Sequence, residues 1–104
     1  MVSLILRRVG HEVIHHISGD KALYSAQNVS FNLAILGCNS ENKLNLDLAR
    51  ALTLYDATLP LILIAYFIEK QDEIAVAQSP FKAIWGMPLS PERILASVSL
   101  YARV

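Results

Sequence analysis

A chain of 104 residues has room for one small domain with a single core, and 54% hydrophobic against 17% charged residues excludes a disordered chain. Nine Lys and Arg balance nine Asp and Glu to a formal net charge of +0, and no run of like charge exceeds the Arg7-Arg8 pair, so nucleic acid is not an expected partner. The single cysteine, Cys38, excludes an internal disulfide and a Cys-rich zinc site and fits a reducing cytoplasm.

Met1 to Leu6 is apolar, but it precedes its arginine pair and no small-residue cleavage site follows, so a signal peptide is not expected. Residues 4 to 9 read as a helix end: Leu4, Ile5 and Val9 can share a face, Arg7 and Arg8 suit a helix C-terminus, and Gly10 supplies the stop. Residues 12 to 17, Glu-Val-Ile-His-His-Ile, are rich in β-branched side chains and predict a strand. Ser18 or Asp20 then caps a helix through about Asn28, with Ala22, Leu23 and Ala26 as its inner stripe.

Phe31 to Leu36 and Leu61 to Phe67 are continuous apolar runs, as parallel strands buried on both faces require. The stretch from Leu59 to Ile68 is ten residues long with Pro60 inside it, well short of the roughly 20 that cross a bilayer, so no membrane role is expected. Between the two runs, Leu44, Leu48 and Leu52 recur at helical spacing beside Leu46 and Ala49, after a polar lead-in from Asn39 to Asn42. Glu69 to Gln78 predicts a shorter helix built around Ile74, Ala75 and Ala77, ended by Ser79-Pro80. A last strand covers about Ala83 to Met87. Ser90-Pro91-Glu92 then starts a helix with a capping serine, a proline at the first helical position and a carboxylate on the positive end of the dipole. Ile94, Leu95, Val98 and Tyr101 form its inner face. Helices and strands alternating in this way define an α/β open parallel sheet with helices on both faces, in one domain over residues 1–104.

Five segments, in order and at the right spacing, resemble receiver domains of two-component response regulators, the CheY-like family. Leu6 to Val13 is similar to the end of the family's first helix and its second strand, and Ser18 to Leu23 to the start of its second helix. Phe31 to Leu36 is similar to the third strand, Leu59 to Ala65 to the fourth, and Ala83 to Glu92 to the fifth and its exit. The resemblance implies a flavodoxin-like three-layer αβα fold. Only nine residues precede Gly10, so the family's first strand is expected to be missing and the sheet to have four strands. Three explanations fit: a natural chain that begins upstream, direct pairing of the second and third strands, or cover donated by a second chain through dimerisation or strand addition.

The family's chemistry needs an aspartate at the end of the third strand, which attacks phosphorus; that position is Gly37 here. The hydroxyl position after the fourth strand is Ala65, the lysine position is Met87 and the switch aromatic is Ile84, while Pro88 is retained. The acidic pair that holds Mg²⁺ lies at the end of the strand expected to be missing. Nucleophile, hydroxyl, cation and metal ligands supply nearly all the charge stabilisation of phosphoryl transfer. Their joint replacement implies a pseudo-receiver that is not an enzyme, takes no cofactor and works in phosphorelay-type regulation through a protein partner or as a homodimer. The expected partner face is Ile84, Trp85, Met87, Leu89 and Arg93, with Trp85 equally suited to a buried place.

A different reading is a small flavodoxin-like ligand-binding domain unrelated to phosphorelay, its pocket ringed by Gly37, Cys38, Ala65, Tyr66, Met87 and Pro88 at the strand ends. His11, His15 and His16 do not form a metal set on a strand, because His15 and His16 point to opposite faces. Cys38 has no cation other than Lys43 near it in sequence and reads as a passive thiol.

Overall fold

Apolar runs without alternation need cover on both sides, and the fold supplies it in three layers. A computed structural model describes residues 2–37, 45–65, 68–86 and 89–103. Over these the chain forms α1 (Val2–Arg8), α2 (Gly19–Asn28), β1 (Ala34–Gly37), α3 (Leu46–Tyr55), β2 (Leu61–Ala65), α4 (Glu73–Ala77, entered through a 3₁₀ turn at Lys70–Asp72), β3 (Phe81–Gly86) and α5 (Pro91–Tyr101). The strands form a parallel sheet in the order β1-β2-β3. Leu36 lies opposite Leu63, and Ile64 lies opposite Trp85.

Alternation along the strands sorts the side chains between the two faces. Ile62 and Trp85 point to one face and form a cluster with Leu6 of α1 and with Ile94 and Val98 of α5. Leu36 and Leu61 point to the other face and meet Ala49 and Leu52 of α3, with Leu23 and Ala26 of α2 beside them. Leu63 and Ala65 continue that second face toward Leu46 and Val76. A bulge between Leu61 and Ile62 lets Phe81 and Ala83 serve opposite faces of β3.

Local chemistry sets the helix ends. Gly10 adopts φ +94, its N–H donates to Arg7 O at 3.1 Å, and the His11 N–H donates to Leu6 O at 3.1 Å. This closes α1 with a residue type that reaches left-handed geometry without strain. Ser18 Oγ accepts from the Lys21 N–H at 3.5 Å, and Ser90 Oγ from the Arg93 N–H at 3.1 Å, so both expected capping serines sit at their N-caps.

Three details differ from the sequence reading. Among the described residues the sheet has three strands, not four. Residues 12–17 carry strand-forming side chains but run outside the sheet, because a strand exists only where its backbone groups find a ladder partner and none is brought beside them. Val13 packs on the Leu6 cluster, the Arg7 guanidinium donates to Val13 O at 3.0 Å, and Ile14 and Ile17 remain 52% and 101% exposed. In α4 the inward residue is Val76, whereas Ile74 is exposed. Trp85 is 2% exposed and belongs to the core, so it leaves the expected partner face.

The two ends of the fold are joined by Arg103. Its N–H donates to Asn32 O at 2.9 Å, and its guanidinium donates to Phe31 O at 3.0 and 2.7 Å, to Thr58 Oγ1 at 2.7 Å and to both carboxylate oxygens of Asp56. Asp56 is the C-cap of α3, where a carboxylate opposes the helix dipole and therefore calls for a cation. Hydrogen bonding and charge from Arg103 hold its carboxyl at about 2, below the ordinary 3.8.

Two measurements test this account. A depressed carboxyl pKa adds stability that is fully present above the unfolded value and is lost as pH falls through the folded one. Thermal melts of the wild type should therefore lose stability between about pH 4 and pH 2, and Asp56→Asn should flatten that part of the profile while lowering Tm at neutral pH. Leu63 is 0% exposed, so Leu63→Ala should cost about 2–5 kcal/mol in urea unfolding.

Candidate functional site

In an open parallel sheet the place for chemistry lies beyond the carboxyl ends of the strands. Here those ends are Gly37, Ala65 and Gly86, with Gly37 level with Ile64 and Ala65 level with Gly86. None of the three carries a side-chain donor, acceptor or charge. Among the described residues, a Cβ added at Gly37 or at Gly86 would meet nothing within 4 Å. Of the residues expected around this mouth, Cys38, Tyr66, Met87 and Pro88 lie outside the described residues.

A polar group the sequence reading did not single out sits at this end. Asn45, the N-cap of α3, adopts φ 51 and ψ 35 and its side-chain amide donates to Gly37 O. Asparagine tolerates left-handed geometry better than most side chains. Asn45 therefore turns the chain into α3 and also ties down the last carbonyl of β1. The contact fixes the strand end and brings no charge to it.

The fold implies a divalent cation only if carboxylates converge here, and the described residues do not fit one. Mg²⁺ takes hard oxygen donors in near-octahedral order, and among the described residues no group of three His, Cys, Asp or Glu is placed to hold a metal ion. Of the three histidines, His16 Nε2 pairs with Ser25 Oγ of α2, while His11 and His15 are exposed.

The residues of the expected partner face differ in exposure. Ile84 is 37% exposed on β3, Arg93 is exposed on the first turn of α5, and Leu89 is half-buried against the Trp85 cluster. Met87 lies outside the described residues. At the opposite end of the sheet a shallow depression is lined by Gln27, Asn28, Ser30, Tyr55 and Asp56.

A three-layer αβα sheet with these strand ends belongs to the flavodoxin-like class of folds. Within that class the match is to receiver domains. The chain superposes on a CheY-like response-regulator receiver domain from Methanospirillum hungatei with a TM-score of 0.84 at 17% identity, over 95% of this chain and 79% of that one. It superposes on the receiver domain of a sensor histidine kinase from Pseudomonas aeruginosa, which carries a magnesium ion in its active-site cleft, with a TM-score of 0.82 at 15% identity over 96% and 84%. A streptococcal redox sensor described as evolved from two-component response regulators gives 0.80 at 23% identity, over 96% of this chain and 44% of that one. No family model matches the sequence, and no curated protein matches it. At these identities the likeness establishes the receiver fold.

Gly37 gives a direct check on the site. Gly37→Asp should fold with a stability within about 0.5 kcal/mol of the wild type, since a Cβ there meets none of the described residues. Urea unfolding followed by circular dichroism reads this.

Proposed function

We propose that this chain, as one domain over residues 1–104, is a pseudo-receiver: a signalling module of two-component or phosphorelay type that acts by protein contact and independently of phosphorylation. The observation that carries this reading is the contrast between the scaffold and its strand ends. The receiver architecture is kept over 95% of the chain, while the strand ends that would do chemistry are Gly37, Ala65 and Gly86.

Phosphoryl transfer to a carboxylate needs a nucleophile, a metal to spread the charge and donors aimed at the equatorial oxygens. Gly37 offers no nucleophile, Ala65 offers no hydroxyl, and the lysine position of the resemblance is Met87. With those groups replaced, the domain has no route to an aspartyl-phosphate at this end and does not work as an enzyme there. What it retains is a shaped surface. Ile84 and Leu89 offer apolar surface and Arg93 a cation, which suits a protein partner. No helix of the described residues is long and apolar enough to cross a membrane, and the cytoplasm is the compartment this reading assigns.

Mass spectrometry after incubation with acetyl phosphate and Mg²⁺ tests the proposal. The expected result is an unchanged mass for the wild type and also for Gly37→Asp, because the aspartate alone lacks the metal ligands, hydroxyl and lysine. A phosphorylated wild-type chain would overturn it.

A further inference from the structure

Among the described residues β1 is paired on one side only. The Ala34 N–H donates to Pro60 O at 3.0 Å, and residues of a parallel ladder alternate in the side to which they present their backbone groups. Ala34 and Leu36 therefore address β2, while Ile35 and Gly37 address the outer edge. Asn45 takes the Gly37 carbonyl. The N–H and C=O of Ile35 have no partner among the described residues. An uncovered edge of this kind is a template for another strand.

The same chain carries a segment that matches the template. Residues 12–17 carry three β-branched side chains, Val13, Ile14 and Ile17, and the one backbone group in them bound by the described residues is Val13 O. Ile14 and Ile17 point into solvent at 52% and 101% exposure. An edge that lacks a strand and a strand that lacks an edge, on one molecule, are self-complementary, which is what a two-fold interface requires.

Surface area says how much cover is wanting. The chain exposes 7066 Å², whereas a compact monomer of its 11.5 kDa exposes about 5,800 Å². Its radius of gyration, 13.1 Å, matches the roughly 13 Å of a compact chain of this length, so an elongated shape does not account for the difference. The surplus of roughly 1,200 Å² exceeds the ~800 Å² that each partner contributes to a standard interface. A formal net charge of +0 adds no net repulsion between copies.

We infer that the occupant of the open edge is a second copy of this chain, residues 12–17 of each protomer lying along β1 of its partner in a two-fold dimer. The inference rests on the sheet and goes beyond the proposed function: phosphate labelling bears on one and not on the other. Sedimentation equilibrium of the wild-type chain over a concentration series should give a reversible dimer. The double variant Ile14→Lys with Ile17→Lys should raise its dissociation constant on the order of tenfold or more, because it brings unpaired charge into the seam, and Leu54→Lys, 88% exposed on α3, should leave it unchanged. Hydrogen exchange on the wild type gives a second reading that needs no variant: the Ile35 amide should slow as concentration rises. A folded monomer at every concentration, a dimer indifferent to the Ile14 and Ile17 changes, or an Ile35 amide that exchanges equally fast in monomer and dimer would overturn the inference.

Discussion

Leu61, Ile62 and Leu63 are each 0% exposed, and β2, the strand they form, has backbone partners on both sides. A strand with both edges paired and both faces covered can accept neither a change of register nor a change of volume without disturbing two layers at once. Moving β2 by one residue would exchange Ile62 for Leu61 or Leu63 between the α1/α5 face and the α2/α3 face, and so mismatch two clusters that share no buried member. The helices are placed by this strand more than by one another. Even the tie through Arg103, which grips Phe31 before β1 and Asp56 before β2, works by holding the entrances to neighbouring strands level.

The same rigidity leaves the strand ends free to vary while the fold stays intact. Gly37 and Gly86 carry no side chain that the sheet needs, and a Cβ at either would meet none of the described residues. The scaffold draws its stability from the clusters behind these ends, so side chains at the ends can change without removing packing. Such a separation between site and core is general in folds that host many functions. It allows receiver architecture to persist at 15–23% identity to its structural neighbours.

Much of this was legible in the sequence where one physical rule decided the outcome. The double-sided burial of Leu61 to Ala65 follows from an unbroken apolar run, and α5 follows from Ser90-Pro91-Glu92 with Ile94, Leu95, Val98 and Tyr101 all packed inward. Legibility ended where partners far apart in sequence decide. Residues 12–17 satisfy every local criterion for a strand, but pairing is not local, and the sheet leaves them out. Trp85 suited both surface and core until the register of β3 set which face it took. Asn45 and Arg103 gave weaker signals: an asparagine at a helix entrance suggests left-handed geometry, and a carboxylate at the C-cap of α3 asks for a cation, but nothing in the sequence says that the cation lies 47 positions away.

Trp85 is the only tryptophan in the chain, and its indole N–H is buried without a hydrogen-bond partner among the described residues. Packing against Leu6, Ile94 and Val98 holds the ring in place. It touches the α1/α5 cluster and not the α2/α3 one. The chain therefore contains a built-in one-sided optical gauge. Its emission answers to how tightly the first and last helices close over the sheet and is nearly blind to the opposite layer, so loosening of the two faces can be told apart in a single unlabelled sample.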